Sequence, residues 1–146
     1  MKERTAVILV DHGSTHQEAN DMLLDVARLF EAVSGFEIVE PAHMELAEPT
    51  IAHAFDACVA RGAARVVVHP YFLSPGRHST SDIPRMTAAA ARSHPGVRYA
   101  VTLPLGLDEK IAQVMLERIE SCIDSPDEND ERSVNAALSG TTAGAA

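Results

Sequence analysis

The fold is decided by a stretch in the middle of the chain, RVVVHPYFLSPGRHSTSDIP, at residues 65–84. It begins with a short β-branched run that carries no charge after Arg65, as expected of a strand buried on both faces of a parallel sheet. A turn-forming Ser74-Pro75-Gly76 and then His78 come next, just ahead of residues that commonly begin a helix. Open α/β sheets bind ligands at this place, beyond a strand's carboxyl end and beside a helix N-terminus. His78 is therefore the first candidate functional residue.

The same alternation of strand and helix recurs along the chain. Predicted strands cover residues 6–10, 36–41, 65–68 and 97–101, and a predicted helix follows each of them. The first strand is a continuous apolar run, which is typical of a central parallel strand. The second strand alternates with charge and contains Pro41, which places it at a sheet edge. Thr15 and Glu18 have the spacing of a capping box that would begin the first helix, and Gly35 is its natural end.

Four strands that alternate with helices predict a parallel, three-layer α/β fold of the flavodoxin-like kind, with right-handed crossovers. With the second strand at an edge, the expected strand order is 2-1-3-4, and the order reverses between strands one and three. Open sheets bind their ligands at such a reversal. His12 follows the first strand and His78 follows the third, so the two imidazoles should lie on adjacent strand ends beside one crevice.

The composition is that of a globular protein with one domain of ordinary size. The chain has 146 residues, of which 46% are hydrophobic and 23% are charged, and this balance is typical of such a domain. The formal net charge is −9 and no stripe rich in Lys and Arg is present, which argues against a nucleic-acid partner. The apolar run after Arg4 is too short for a signal peptide or a membrane span. We therefore expect no membrane partner and a cytoplasmic location.

The C-terminal part differs in composition from the rest. Beyond Asp124 the sequence turns to acids and then to Ala, Gly, Ser and Thr, and such a segment buries too little apolar surface to fold. We therefore predict one α/β domain over residues 1–124 and a disordered tail over residues 125–146. Cys58 and Cys122 stand at apolar helix positions without CxxC spacing, so we expect two buried free thiols in a reducing compartment.

The histidines at the strand ends suggest a metal site. Two imidazoles on neighbouring strand ends can hold a divalent transition metal, and Glu45, beyond the second strand, could add an oxygen ligand. Open coordination positions would suit an ion that is transferred rather than a structural one. The alternative is that His12 caps a helix and His78 is a solvated loop residue. Of the other histidines, His16 could assist, and His43 could orient Glu45.

Other kinds of site stay open on these residues. Ser14 with Gly13 could form an anion-binding helix N-terminus in a phosphate- or nucleotide-binding module, although the chain contains neither GxGxxG nor a P-loop motif. A serine hydrolase would need a G-x-S-x-G elbow, which the chain also lacks. A non-catalytic metal carrier or sensor could use the same His12 and His78 without binding an organic substrate.

Five short motifs carry a resemblance to a known family. They are VDHGS at residues 10–14, EPAHMELAEPTI at 40–51, PYFLSPGRH at 70–78, DIP at 82–84 and PLG at 104–106. With these motifs the chain resembles the short sirohydrochlorin chelatases (CbiX/SirB) over residues 6–122, and most of all the plant-type sirohydrochlorin ferrochelatases. The resemblance implies a chelatase-like fold and an enzyme that inserts a divalent metal into sirohydrochlorin, the last step to sirohaem when that metal is iron.

The resemblance also implies roles for individual residues. The metal-handling residues would be His12 and His78, with Glu45 as a helper. The residues themselves, rather than the resemblance, indicate Arg77 and Arg85 near the loop as candidate partners of the substrate carboxylates, with Lys110 as a weaker one, and Ser14 is a further candidate contact. Fe²⁺ is the expected metal, with Co²⁺ or Ni²⁺ as alternatives that would lead to cobalamin-type cofactors. In each case the metal is a substrate, and no permanently bound cofactor is expected.

Two departures from the family pattern qualify these expectations. Many relatives have a basic residue directly after His-Gly-Ser, where this chain has Thr15, so one contact to a substrate carboxylate could be missing. Plant-type relatives carry a cysteine-rich tail linked to an iron–sulfur cluster, whereas no cysteine follows Cys122 here, so we expect no cluster.

Longer chelatases hold two such units in one chain, and a macrocycle needs two walls around it. We therefore expect a homodimer.

Overall fold

The computed structural model describes residues 4–125, apart from the side chains of His78 and Ser79. The chain divides after Gly106 into two units. The first unit holds all the strands and the first three helices of the described part, and the second holds the last helix. Nearly all of the predicted tail lies outside the described residues.

Every predicted strand is present, and a helix follows each one. The strands are β1 (Thr5–Asp11), β2 (Ile38–His43), β3 (Arg65–Pro70) and β4 (Arg98–Val101), and the helices are α1 (Gln17–Ser34), α2 (Ile51–Ala60), α3 (Ile83–Ala91) and α4 (Glu109–Ile123). All strand pairs are parallel, and the sheet order is β2-β1-β3-β4. The predicted order 2-1-3-4 is confirmed, with β2 at an edge despite its Pro41.

The first unit has the three predicted layers. Alternate β1 residues, including Ile8, pack with Phe55 of α2 and Ile83 of α3 on one face of the sheet. The residues between them, including Leu9, pack with Leu23 of α1 on the other face. Burial of a side chain such as Phe55, which is fully buried, stabilises the fold by about 1.5–3 kcal/mol relative to exposure. The central strand is therefore apolar on both faces because both faces are covered.

The helix ends agree with the sequence in part. Gly35 ends α1 with a left-handed φ of 78°, as predicted. The capping box at Thr15 and Glu18 was a wrong expectation, because α1 begins at Gln17 and its N-cap, His16, makes no side-chain capping bond. Pro84 lies in the first turn of α3 as expected, but a π-helical turn, His78–Asp82, precedes that helix.

The two cysteines differ in environment. Cys58 is buried and Cys122 is exposed, and both are free thiols. Burial, with a smaller contribution from the charge of Glu40, raises the pKa of Cys58 to about 12, so this group stays protonated and is a poor metal ligand. The expectation of a buried thiol is therefore correct for Cys58 and wrong for Cys122. None of the helices in the described part of the chain is both long and apolar enough to cross a bilayer.

Candidate functional site

His12 and Glu45 meet where β1 and β2 end. The hydrogen bonding between the two strands continues into their exit loops, where the Glu45 N–H donates to the His12 carbonyl over 3.1 Å. The side chains come together as well, with His12 Nδ1 3.9 Å from Glu45 Oε1. Both side chains are about half exposed, at 51% and 55%. The structure thus brings together two of the three residues for which sequence analysis predicted metal handling.

Gly13 makes this approach of the two loops possible. Its φ is +88°, and a Cβ at this position would lie 1.8 Å from the Glu45 carbonyl oxygen. Any side chain would therefore push the two loops apart, and the left-handed backbone further favours glycine. The glycine of the His-Gly-Ser motif thus lets the backbones of the two exit loops pack directly against each other.

A cavity of about 450 Å³ opens beside His12, lined also by residues 71–76 of the loop after β3. The His12 ring lies 5.2 Å from the Phe72 ring, centroid to centroid, at an angle of 43°. The backbone of His78 begins the π-helical turn only two residues after Gly76, which lines this cavity. The side chain of His78 is not among the described groups, so a shared metal site of His12 and His78 stays a prediction.

A larger cavity of about 540 Å³ lies on the α1 side of the sheet and is lined mainly by apolar residues such as Leu9, Val67 and Phe30. Its one imidazole is His69. The smaller cavity at the strand ends is the better candidate site, because it adjoins an imidazole paired with a carboxylate at the edge where open sheets bind ligands. Among the side chains that the structure describes, no three metal-ligating groups converge closely enough to hold an ion.

Ser14 is fixed by a residue that sequence analysis did not single out. The buried side chain of Asn20 accepts a hydrogen bond from the Ser14 N–H at 3.0 Å and donates one to the Ser14 carbonyl at 2.8 Å. Ser14 Oγ in turn accepts from the His16 N–H at 2.9 Å. The signal in the sequence was a polar residue on the apolar stripe of α1.

The candidate arginines, Arg77 and Arg85, are not among the residues that line this cavity. Arg77 directly follows Gly76 and is exposed. Arg85, in α3, pairs with Asp82 at 3.3 Å and its side chain is 69% exposed. Neither side chain is held in a buried network, so both guanidinium groups are available to solvent.

The remaining histidines have distinct environments. His43 is buried, and its Nδ1 lies 2.6 Å from Asp11 Oδ1, a partner that sequence analysis missed. His94 makes a contact of the same length, from Nε2 to Asp56 Oδ1, and stacks on Phe55. His69 Nδ1 lies 2.7 Å from the Thr102 hydroxyl. Burial lowers the pKa of His69, against a smaller opposing effect of a hydrogen bond to the Leu103 backbone.

Residues 6–122 match the CbiX family. The chain is 50% identical over 117 residues to the chloroplastic sirohydrochlorin ferrochelatase of Arabidopsis thaliana, which covers 80% of this chain and 52% of that one. It is 31% identical over 119 residues to the sirohydrochlorin cobaltochelatase of Sulfurisphaera tokodaii, covering 82% and 94% of the two chains. The structure of SirB from Bacillus subtilis with Fe³⁺ superposes with a TM-score of 0.78 at 31% identity, over 84% of this chain and 48% of that chain.

The chain therefore spans about half the length of the Arabidopsis and Bacillus proteins and nearly the whole length of the Sulfurisphaera one. The matched region contains β1 from its second residue onwards, β2, β3 and β4, the paired His12 and Glu45, and the cavity beside them. The resemblance inferred from the five motifs is confirmed: this chain belongs to the CbiX family.

Proposed function

We propose that this chain inserts a divalent metal into sirohydrochlorin and that Fe²⁺ is its preferred metal. The observation that carries the proposal is the pair His12 and Glu45, 3.9 Å apart at the carboxyl edge of a sheet in a CbiX-family chain. An imidazole and a carboxylate that are both half exposed can hold an ion and leave coordination positions open for its transfer. The preference for iron is supported by the name of the Arabidopsis relative, which shares half of its aligned residues with this chain.

Metal insertion changes the ligands of the ion and removes protons from the macrocycle. In this proposal the ion leaves His12, Glu45 and His78 for the ring nitrogens of the macrocycle. The pyrrole N–H protons must leave at the same time, because a ring that keeps them cannot bind the ion with all its nitrogens. An imidazole nitrogen that has released the ion can accept such a proton. His12 and His78 therefore serve in turn as ligands and as proton acceptors.

The surroundings of His12 suit a flat polycarboxylate. The cavity of about 450 Å³ falls in the usual range for small-molecule sites, and Tyr71, Phe72 and Leu73 give it an apolar wall for a ring face. We assign Ser14, Arg77 and Arg85 to the substrate carboxylates, because a guanidinium donates two parallel N–H bonds to a carboxylate. Arg85 would then exchange its 3.3 Å pairing with Asp82 for the substrate.

The decisive experiment follows sirohydrochlorin absorbance with Fe²⁺ and with variants of the proposed ligands. His12→Ala and His78→Ala should each remove most of the metallation rate, and the double variant should be scarcely worse because residues that act as a unit are not additive. Glu45→Gln should slow turnover less, since an amide oxygen can still coordinate. His94→Ala, in the segment between α3 and β4, is the control. Wild-type rates in a folded His78→Ala protein would refute the role of that residue.

Cobalt insertion is the second candidate function. It is favoured by the Sulfurisphaera relative, which is named a cobaltochelatase and of which this chain covers 94%. Iron, cobalt and nickel all suit imidazole and carboxylate ligands, and selection often follows availability rather than affinity. Parallel assays with Fe²⁺, Co²⁺ and Ni²⁺ decide between these functions, and cobalt insertion with only background iron insertion would overturn the preference for iron. A non-catalytic carrier would bind the metal but leave the tetrapyrrole spectrum unchanged on titration.

The quaternary state belongs to the same proposal. One four-stranded unit can supply one wall of a tetrapyrrole cleft, and a second copy related by a two-fold axis would supply the other. We propose a homodimer, which light scattering at micromolar concentration should detect. A monomer both with and without sirohydrochlorin would contradict it.

The two cysteines support a proposal about the compartment and one about the cofactor content. Cys58 and Cys122 are both free, as in proteins of reducing compartments, and we propose the cytoplasm, although the Arabidopsis relative is named chloroplastic. A fluorescent fusion in the native cell tests this. We also propose that the protein carries no iron–sulfur cluster: Cys58 is buried and a poor ligand, which leaves one exposed cysteine per chain and two in the proposed homodimer, whereas such clusters usually need four. Iron and sulfide analysis of the purified protein tests that.

A further inference from the structure

A buried histidine–carboxylate pair joins the ends of the two strands that lead to His12 and Glu45. His43 and Asp11 are register partners on β2 and β1, and His43 Nδ1 lies 2.6 Å from Asp11 Oδ1. The His43 side chain is only 4% exposed and that of Asp11 is 23% exposed. Because a carboxylate only accepts hydrogen bonds, His43 donates through Nδ1–H, and a bond to a charged acceptor in a buried place is strong.

The same Asp11 oxygen also fixes the loop that carries His12. Oδ1 accepts a second hydrogen bond, from the Gly13 N–H at 3.0 Å. The Met44 N–H donates to the Asp11 carbonyl at 2.9 Å, and the Glu45 N–H donates to the His12 carbonyl at 3.1 Å. One carboxylate oxygen thus ties His43, which lies two residues before Glu45, to Gly13, which directly follows His12.

Stability alone gives no reason to place such a pair here. Replacing a buried ion pair by apolar residues of similar size is often neutral or stabilising, so a buried pair is weak evidence for a stabilising role. The chain contains a second pair of equal length, His94 and Asp56 at 2.6 Å, which joins α2 to the segment between α3 and β4. Only the first pair is built into the loops of the candidate site.

We propose that the Asp11–His43 pair is a positioning device that fixes the distance between His12 and Glu45 during metal transfer. This inference rests on the proposed function, since the distance matters only if the two residues share an ion. Hydrogen-bonding partners one step removed from a metal typically change its affinity or the activity by about 10- to 100-fold when they are removed. Asp11 and His43 act through the two loops and touch neither metal nor substrate.

The test replaces His43 by Asn or by Gln, two residues whose side-chain amides place their N–H groups at different positions. In His43→Asn the amide nitrogen takes the place of Nδ1 and can still donate to Asp11, whereas in His43→Gln it takes the place of Nε2 and cannot. We expect His43→Gln to lower the metallation kcat by about 10- to 100-fold with little change in KM for sirohydrochlorin. His43→Asn should stay within a few-fold of wild type.

The matched control is the second pair, where the bond is made through Nε2 and the two amides exchange roles. His94→Gln should keep that bond and His94→Asn should lose it, with a loss of stability but no loss of metallation per folded molecule. Equal metallation rates in His43→Asn and His43→Gln, whether both high or both low, would overturn the proposal. So would a rate loss in His43→Gln no larger than that in His94→Asn at equal loss of stability.

A second measurement keeps the inference separate from the proposed function. Co²⁺ alone, titrated into the protein and followed by its visible absorption, reports binding at His12 and Glu45 without any tetrapyrrole. His43→Gln should weaken Co²⁺ binding and change the spectrum, and His43→Asn should restore both. If the wild-type protein metallates no sirohydrochlorin, the proposed function fails, while the Co²⁺ titrations still decide whether the pair positions the two ligands. Identical Co²⁺ titrations for both position-43 variants and wild type would refute the positioning role.

Discussion

A single glycine sets how closely the loops that carry His12 and Glu45 approach each other. Gly13 and Gly35 both have left-handed backbones, with φ of 88° and 78°, but a Cβ at Gly13 would lie 1.8 Å from the Glu45 carbonyl oxygen and one at Gly35 would meet nothing within 4 Å. Gly35→Ala should therefore cost about 1–2 kcal/mol for the backbone conformation alone. Gly13→Ala should cost more, because the loops must also separate. Urea unfolding of both variants measures the difference, and equal costs would show that the close contact is not maintained.

His69 makes the stability of the protein depend on pH. Burial lowers the pKa of His69 below its ordinary value, so the unfolded chain binds a proton more readily than the folded one. The free energy of unfolding should therefore fall as the pH decreases from about 6.5 towards the folded-state pKa, and this effect should be absent well above about pH 6.5. His69→Asn can keep the hydrogen bond to Thr102 but cannot titrate. Between about pH 7 and pH 5, the free energy of unfolding of this variant should fall less than that of the wild-type protein. An equal fall in both proteins would show that His69 is not the group responsible.

The secondary-structure elements that the sequence predicted well are those decided by hydrophobic pattern. The apolar run of β1 and the charged alternation of β2 gave the order of the sheet, because a strand covered on both faces needs apolar residues on both faces. The start of α1 was missed for a local reason. Asn20 bonds both backbone groups of Ser14, and Ser14 Oγ accepts from the His16 N–H, so these side chains fix the segment just before the helix and His16, not Thr15, is the N-cap. The π-helical turn His78–Asp82 depends on a hydrogen-bond pattern that no residue period reveals.

The sequence predicted one part of the candidate site and missed another. His12 and Glu45 were expected to meet because both follow strands that end at the same edge of the sheet, and they do. The Asp11–His43 pair was missed because it depends on which residue of β1 lies opposite which residue of β2. A shift of one residue in that register would turn one of the two side chains to the other face of the sheet.

At the start of α1, the bonds between Asn20 and Ser14 give a prediction for substrate binding. Asn20→Ala removes an acceptor and a donor for the Ser14 backbone, and we expect a loss of about 1–3 kcal/mol in stability together with a higher KM for sirohydrochlorin. Thr50→Ala is the matched control, because Thr50 caps α2 through the His53 N–H and its loss should cost about 1 kcal/mol. If the KM rises equally in both variants, the effect comes from general destabilisation and not from the position of Ser14.

For the molecule as a whole, the net charge of −9 opposes the polycarboxylate substrate that we propose. At an ionic strength of about 0.15 M, charges further apart than about 8 Å are largely screened from one another. The groups beside the cavity therefore decide binding more than the total charge does. Exposed Arg77 and Arg85 can attract a carboxylate locally even though the net charge of the whole chain is negative.

The acids beyond Asp124 allow a test of this separation between local and total charge. Residues 125–146 combine Asp127, Glu128, Asp130 and Glu131 with a stretch of small residues, a composition that gains little from folding. Truncation after residue 124 should therefore leave the Tm and the metallation rate nearly unchanged. A full-length variant with these four acids changed to amides separates charge from length and should also behave like wild type. If truncation lowers the rate but the amide variant does not, the tail contributes to the cleft through contacts rather than charge, and residues 1–124 are not a complete functional domain.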